Sequence, residues 1–336
     1  MNLPVTSLDS WQQLLSHTID DPAELIRLLD LPETLVAPAR KAAKGFPLRV
    51  PMPYLRRIEK GNPDDPLLKQ VLPLVAETQK VTGFVADPLS EAQYNPHQGI
   101  VHKYKGRVLL IMTGACAINC RYCFRRHFPY DENRLGPEQW QTMLNYLRAD
   151  SSIEEVILSG GDPLAVSDNR LQRLVNDLST ISHLKRLRIH SRLPVVIPER
   201  VTPELLGILG KNRLQTTLVL HVNHGNEIDD TVGRALNALR DAHITLLNQA
   251  VLLRGINDSV HALKHLNESL FDWGVLPYYL FVLDPVDGAA HFDIPDAEAQ
   301  NLVAQLQAQL PGYLVPKLAR EIPDRPSKTV LPTVTS

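Results

Sequence analysis

The stretch T-G-A-C-A-I-N-C-R-Y-C-F-R-R-H-F-P-Y, from Thr113 to Tyr130, organises this chain. It contains Cys116, Cys120 and Cys123, which are the only cysteines among 336 residues. Three thiols crowded into one short segment are not a disulfide framework, because disulfides need even numbers and an oxidising compartment. Thiolates spaced this closely indicate a metal site.

Two kinds of metal site fit the spacing. A four-iron cluster normally takes four cysteine ligands, so three cysteines would leave one iron open to bind a small molecule. The alternative is a structural zinc ion, with His127 as a fourth ligand beside the three thiolates. A chain of 336 residues can build its own hydrophobic core without a metal, which favours the iron–sulfur cluster.

The residues from Arg107 onward alternate between short apolar runs and amphipathic segments. Six runs predict β-strands, at Val108–Met112, Val156–Leu158, Leu187–His190, Leu218–Val222, Thr245–Leu253 and Val275–Leu283. Amphipathic segments between the runs predict helices, so the pattern indicates six β/α units and a parallel sheet. Polar residues follow the runs, as in barrel enzymes. We therefore predict an α/β fold with a partial (β/α)6 barrel.

The sequence pattern before the predicted barrel is different. Residues 1–95 predict a helical N-terminal region, and residues 96–336 predict the barrel with a C-terminal tail. Asp21 and Pro22 are typical of a helix start, and Leu25 and Leu28 follow at helical spacing. No residue in this region has a catalytic character, so we predict that it packs against the barrel and covers part of it.

Composition excludes several classes of function. The chain is 44% hydrophobic and 21% charged, with a net charge of −2. This balance gives no electrostatic reason to expect a nucleic acid or a membrane surface as partner. We predict neither a signal peptide nor a transmembrane helix, because no basic segment with a following apolar run opens the sequence and no apolar stretch reaches about 18 residues. The clustered thiols then indicate the reducing cytoplasm.

Candidate site residues follow the predicted strands. After the second strand comes Ser159-Gly160-Gly161-Asp162-Pro163, where glycines let the backbone approach a ligand closely. His221 ends the fourth strand.

The fifth and sixth strands add further polar side chains. Asn248 and Gln249 interrupt the apolar fifth strand, and we expect both to face a ligand because unpaired buried amides are costly. Asp284 closes the sixth strand, where it either binds a cationic group or caps a turn.

Several motifs together resemble the lysine 2,3-aminomutase family of the radical S-adenosylmethionine superfamily. They are H-K-Y-x-G-R (His102–Arg107), the cysteine loop continuing into Arg125-Arg126, S-G-G-D-P-L, N-Q-x-V-L-L (Asn248–Leu253), P-Y-Y (Pro277–Tyr279) and G-Y-x-V-P. They occur in the family's order, from about residue 95 to 330. C-R-Y-C-F-R-R-H-F-P-Y and V-P-K-L-A-R-E-I resemble the short branch that makes (R)-β-lysine for elongation factor P.

The resemblance implies an activity and its cofactors. The family uses a [4Fe-4S] cluster, S-adenosylmethionine and pyridoxal phosphate. A 5′-deoxyadenosyl radical from S-adenosylmethionine starts the conversion of (S)-α-lysine to (R)-β-lysine. The implied partners are an electron donor such as flavodoxin or ferredoxin, and elongation factor P with its lysyl ligase. The alternative is a radical aminomutase that acts on another amino acid.

The resemblance also implies roles for individual residues. Besides the three cluster cysteines, S-adenosylmethionine would contact Tyr122, Gly160, Gly161, Asp162, His221 and Gln249. The substrate would contact Arg125, Asp284 and Glu321.

The pyridoxal phosphate residues are implied in the same way. The family's pyridoxal lysine lies twelve residues after the proline of G-Y-x-V-P, which gives Lys328. Lys317 is the competing candidate, because the glycine run that usually precedes the family's lysine is replaced here by Asp324-Arg325-Pro326-Ser327. Arg107, and with it Lys103, would face the phosphate, since cations suit that group.

Overall fold

The computed structural model describes residues 10–133 and 135–333. The predicted absence of a signal peptide concerns residues 1–9, which lie outside this part. The β-strands are β1 Thr18–Ile19, β2 Val50–Pro51, β3 Ile100–Tyr104, β4 Arg107–Thr113, β5 Glu155–Gly160, β6 Arg186–Ser191, β7 Gln215–Leu220, β8 Thr245–Val251, β9 Leu276–Phe281, β10 Lys317–Arg320 and β11 Thr329–Val330. The α-helices are α1 Trp11–Ser16, α2 Pro22–Leu28, α3 Val36–Ala43, α4 Met52–Leu55, α5 Pro66–Lys69, α6 Pro137–Ala149, α7 Asp168–Ser179, α8 Leu193–Val196, α9 Pro203–Gly210, α10 Asp230–Asp241, α11 Val260–Asp272 and α12 Asp296–Gln307.

One nine-stranded sheet forms the centre of the protein. Its order is β11-β10-β9-β8-β7-β6-β5-β4-β3. Strands β4 to β10 are parallel, whereas the edge strands β3 and β11 run antiparallel to their neighbours. The six predicted strands are all present as β4 to β9, and the α/β fold is confirmed. The parallel strand β10 and both edge strands were missed.

The sheet curves but does not close into a barrel. Strands β3 and β11 are its two ends, and no backbone ladder joins them in the part of the chain that the structure describes. A side-chain contact bridges this open side instead: Lys103 of β3 forms an ion pair with Glu321, which follows β10 (3.1 Å). The predicted partial barrel is therefore an open sheet whose two sides meet through charged side chains.

The helices pack on the outside of the sheet through their apolar faces. In α7 the buried residues are Leu171, Leu174, Val175 and Leu178, at the spacing that the sequence predicted. Ser167 caps this helix by accepting a hydrogen bond from the backbone N–H of Arg170. No helix within residues 10–133 or 135–333 has the length and apolar character needed to cross a bilayer.

The N-terminal region is built from short helices and the two-stranded ribbon of β1 and β2. Asp21 caps α2 as predicted, because its side chain accepts a hydrogen bond from Ala23 N (3.1 Å). Leu25, Leu67 and Leu68 are fully buried and belong to the same continuous core as the sheet. The predicted boundary near residue 95 remains a prediction, since the two parts share this core.

Candidate active site

One large cavity opens at the carboxyl ends of the parallel strands. Its volume is about 1000 Å³, at the upper end of the roughly 300–1000 Å³ typical of ligand pockets. The residues to which the family resemblance gives a role all line it, namely Cys116, Cys120, Cys123, Tyr122, Gly160, Gly161, Asp162, His221, Gln249, Arg125, Asp284, Glu321, Arg107 and Lys328. The fold therefore gathers these residues around one space.

The cysteine loop follows β4 and is fixed by a buried arginine. Arg121, between Cys120 and Cys123, is 0% exposed. Its Nε donates a hydrogen bond to Glu77 (2.9 Å), and its Nη1 donates to the carbonyl oxygen of Phe46 (2.9 Å). Charge-assisted hydrogen bonds are stronger than neutral ones. Because Glu77 and Phe46 belong to the N-terminal region, that region holds the loop in place.

Arg192, directly after β6, points at the cysteine loop. Its Nη1 lies 2.7 Å from Cys120 Sγ and 2.9 Å from the hydroxyl oxygen of Tyr122. Its Nη2 donates to Glu227 (2.8 Å) and to Gln70 (2.6 Å), both fully buried. Arg192, Gln70 and Glu227 were not predicted from the sequence. A polar residue at a strand end was the available signal for Arg192, whereas nothing in the sequence pattern marked Gln70 or Glu227.

The turn Gly160–Asp162 packs against the start of the cysteine loop. Gly160 has φ of +119°, and a Cβ there would lie 2.6 Å from the carbonyl oxygen of Thr113. A Cβ on Gly161 would collide with the carbonyl oxygen of Ala115. Both glycines are thus required by the close contact between two loops, a reason that the sequence analysis did not consider.

The Asp162 carboxylate is engaged within the protein. It accepts four hydrogen bonds, from the backbone N–H groups of Leu164, Arg192 and Leu193 and from the hydroxyl group of Ser191. The side chain therefore orders the turn and the backbone beside Arg192. Its predicted contact with S-adenosylmethionine stays a prediction.

Arg125, predicted to bind a substrate carboxylate, is paired with a carboxylate of the protein. Its Nε and Nη2 donate to the two oxygens of Glu91 at 2.7 and 2.6 Å, and its Nη1 donates to Ser159 Oγ (2.8 Å). Burial lowers the pKa of Arg125, but the Glu91 carboxylate outweighs burial and the pKa lies above its usual value. Glu91, from the N-terminal region, was not predicted.

Glu321 joins lysines from the two sides of the open sheet. Its carboxylate lies 2.7 Å from Lys328 Nζ and 3.1 Å from Lys103 Nζ, and it accepts a hydrogen bond from the Tyr104 hydroxyl group (3.0 Å). Burial raises the pKa of Glu321, but Lys328 and Lys103 outweigh burial and lower it to about 2. Arg107 stacks on the Tyr104 ring at 4.6 Å.

Asp284 has no such partner. Within residues 10–133 and 135–333, no hydrogen bond or ion pair engages its carboxylate. Burial, followed by repulsion from Glu321, raises the pKa of Asp284 to about 7. The carboxylate caps no backbone group, so the turn-cap alternative is not supported. An enclosed carboxylate without a partner is suited to receive a cation.

The two amides of β8 differ in role. Gln249 lines the cavity and contacts His221 (Nε2 to Nε2, 2.9 Å). Burial lowers the pKa of His221 to about 4, so this ring is neutral at physiological pH. The expectation that Asn248 also faces a ligand is wrong. Its side chain bonds the backbone N–H and carbonyl of Val222 at 2.9 and 3.0 Å, which satisfies the amide between β7 and β8.

Comparison with known proteins identifies the family. Residues 110–266 match the Radical SAM superfamily. The chain is 51% identical to the L-lysine 2,3-aminomutase of Escherichia coli (strain K12), over 98% of this chain and 97% of that protein. The chain belongs to the lysine 2,3-aminomutase family. The L-lysine 2,3-aminomutase of Haemophilus influenzae is also 51% identical (96% of this chain, 95% of that protein), and that of Clostridium subterminale is 35% identical (96% and 77%).

The lysine 2,3-aminomutase family uses a [4Fe-4S] cluster, and the cysteine loop fits one. Burial raises the pKa of Cys116 and also that of Cys123, the latter to about 11, so a bound cation would favour their thiolate form. No three Cys, His, Asp or Glu side chains in the described part are placed to share one metal ion, and His127 Nε2 contacts the carbonyl oxygen of Asp287 (3.3 Å). Membership of a family that uses a [4Fe-4S] cluster argues against the zinc alternative. A cluster spreads its thiolates over several irons and needs no common ligand sphere.

Pyridoxal phosphate, the family's third cofactor, fits the side of the cavity near Glu321. Lys328 lines the cavity there, whereas Lys317 is exposed at the start of β10 and does not line it. Lys103 and Arg107 line the cavity together with Arg188, a third cation that the sequence analysis missed. Converging cations of this kind suit a phosphate group.

Proposed function

We propose that this protein is an L-lysine 2,3-aminomutase that converts (S)-α-lysine to (R)-β-lysine. One observation carries the proposal: a single cavity contains a loop with three thiols, a lysine and a carboxylate without a partner. The two relatives of that name at 51% identity, matched over nearly their whole length, support it.

The cofactors supply the radical that breaks an unactivated C–H bond and the carbonyl group that carries the migrating nitrogen, which no side chain can provide. The protein holds and orients these groups. We assign the cluster to the three cysteines, pyridoxal phosphate to Lys328 and Arg107, and S-adenosylmethionine to Tyr122, Gly160, Gly161, Asp162, His221 and Gln249. The N-terminal region covers the cysteine loop through Glu77 and excludes water from that end.

Two carboxylates explain a preference for lysine. A buried ammonium group is costly unless it is paired. Glu321 is ionised, with a pKa of about 2, and Asp284 becomes ionised when a cation approaches it. We assign both to the ε-ammonium group of the substrate. Leucine and glutamate cannot satisfy this pair of charges.

Arg125 is assigned to the α-carboxylate of the substrate. Glu91 accepts hydrogen bonds from the Arg125 Nε and from one N–H of Nη2, and Nη1 donates to Ser159 Oγ and to the Gly160 carbonyl oxygen (3.4 Å). One N–H on Nη2 therefore remains for a second carboxylate. Glu91 acts as a positioning residue that fixes the guanidinium group while leaving this donor free.

Asp284→Asn is expected to lower kcat/KM for L-lysine by roughly 30- to 150-fold, which corresponds to about 2–3 kcal/mol of charge-assisted binding. The amide keeps the shape of the carboxylate and removes its charge. The measurement is β-lysine formation under anaerobic conditions with S-adenosylmethionine and dithionite. Asp293→Asn, which changes an acid outside the cavity lining, is the matched control and should retain activity.

The pH dependence gives a second test of the same residue. Asp284, with a pKa of about 7 in the free enzyme, is protonated below that pH and then lacks the charge that the ammonium group needs. The kcat/KM of the parent should therefore fall as pH drops through about 7, and Asp284→Asn should lose this limb. Unchanged kinetics in Asp284→Asn, or faster turnover of another amino acid than of lysine, would favour the alternative of an aminomutase with a different substrate.

We propose further that the β-lysine is used by the ligase that modifies elongation factor P. The cysteine-loop sequence C-R-Y-C-F-R-R-H-F-P-Y and the tail V-P-K-L-A-R-E-I support this use through their resemblance to that branch. Deleting the gene should remove the β-lysyl group from elongation factor P, as read by its intact mass. The parent gene should restore the modification and a Cys120→Ala gene should not. A modification that survives the deletion would refute this use but not the chemistry.

A further inference from the structure

The surface over the cysteine loop is formed by a basic segment of the N-terminal region. The segment Lys41–Arg49, K-A-A-K-G-F-P-L-R, leads from the end of α3 to β2. Phe46 and Pro47 line the same cavity as Cys120. On this side, the segment lies between the predicted cluster site and solvent.

The segment contacts the loop directly. Arg121 Nη1 donates hydrogen bonds to the carbonyl oxygens of Phe46 (2.9 Å) and Pro47 (3.2 Å). Asn119, one residue before Cys120, donates its backbone N–H to the Arg49 carbonyl oxygen (3.1 Å). Its side-chain amide donates to Pro47 (3.0 Å). A protein bound to this segment would therefore be separated from the cysteine loop by a single layer of chain.

The charges of this surface are unbalanced. Lys41 and Lys44 are exposed, and no carboxylate in the part of the chain that the structure describes forms an ion pair with either. The adjacent Arg40, by contrast, is paired with Asp21 at 2.8 Å. In a chain with a net charge of −2, two unpaired cations beside a redox site form a local positive patch.

We propose that Lys41, Lys44 and the adjoining Pro47 surface form the docking site for a small acidic one-electron carrier protein of the flavodoxin or ferredoxin kind. The inference rests on the proposed function, because the family's chemistry starts with reduction of the cluster. One electron leaves the reduced carrier and enters the cluster, and no atom is transferred. Electron tunnelling weakens steeply with distance, so the carrier must bind close to the cluster. Opposite charges increase the rate of such an encounter.

The test compares charge-reversal variants in an anaerobic stopped-flow experiment. Reduced flavodoxin, or reduced ferredoxin, is mixed with the cluster-loaded enzyme, and the loss of the cluster's visible absorption is followed. In the double variant Lys41→Glu/Lys44→Glu, the second-order rate constant at low salt should fall by about tenfold or more. The difference should shrink in high salt, because salt screens exposed charges.

Lys211→Glu is the matched control. Lys211 is exposed and follows α9, at the opposite end of the sheet from the cysteine loop. The rate constant for reduction of the Lys211→Glu variant should therefore equal that of the parent. A double variant that accepts electrons from both carriers at the parent's rate overturns the docking site. So does a loss of rate that high salt leaves unchanged.

A dithionite arm separates this inference from the proposed function. Dithionite is small and needs no docking surface, so at high salt it should reduce the cluster equally in the parent, the double variant and Lys211→Glu. Equal reduction by dithionite together with selective loss of reduction by the carriers supports the site. A parent that binds no reducible cluster at all would overturn the proposed function itself.

Discussion

Cys120→Ala is expected to abolish aminomutase activity and to remove the iron–sulfur absorption. With one of three thiolates lost, the remaining two cannot hold a cluster that normally needs more protein ligands. Activity should fall by more than about a thousandfold, equivalent to about 4 kcal/mol. The measurements are iron per chain, the visible spectrum of anaerobically purified protein, and β-lysine formation with dithionite as reductant.

A matched control comes from the same loop. Asn119→Ala removes a neighbouring side chain whose one hydrogen bond within the described residues goes to the Pro47 carbonyl oxygen (3.0 Å), and it leaves all three thiols in place. It should retain its iron and most of its dithionite-supported activity. If Cys120→Ala were fully active, the assignment of the cluster to this loop would be refuted.

Lys328→Ala is expected to cause a loss of aminomutase activity of similar size, because the variant cannot attach pyridoxal phosphate. Borohydride reduction of the loaded parent should fix a pyridoxyl group on the peptide that contains Lys328, and the variant should take up no such label. Lys317→Ala is the control, because Lys317 lies outside the cavity at the start of β10. It should keep both label and activity, and a label on Lys317 would show that the anchor lies elsewhere.

A second substitution separates chemistry from stability at the same position. Lys328 Nζ lies 2.7 Å from the Glu321 carboxylate, so alanine also removes an ion pair. Lys328→Arg keeps a cation beside Glu321 but offers no amine that can hold the cofactor. It should be as inactive as Lys328→Ala while its Tm stays near that of the parent. Activity in Lys328→Arg would mean that the ion pair, not covalent attachment, is what the reaction needs.

The central strands were predictable because burial decides their composition. Strands β4 to β9 are apolar runs between amphipathic helices, and this pattern is visible without any knowledge of partners. Strand β10, Lys317–Arg320, carries a charge at each end and becomes a strand through its pairing with β9. Such long-range pairing leaves no periodic signal in four residues.

The site was predictable where strand ends and motif order mark it. Gln70, Glu77 and Glu91 were missed because they lie in an irregular N-terminal segment, and their contacts with arginines far away in the sequence leave no local signal. The error at Asn248 has a simpler origin. Side chains alternate across a strand, so Asn248 and the cavity-lining Gln249 must point to opposite faces.

The contact between Glu321 and Lys328 links cofactor binding to the charge balance at the open side of the sheet. In the cofactor-free chain, the Glu321 carboxylate is neutralised by a tethered cation, Lys328 Nζ, at 2.7 Å. If that nitrogen carried pyridoxal phosphate, as we propose, it would no longer serve Glu321 as a free ammonium group, and Lys103 would remain as its lysine partner among the described residues. The ε-ammonium group of an incoming substrate would then replace the missing charge. We therefore expect lysine to bind weakly until the cofactor is loaded, so that the order of assembly is set by charge balance.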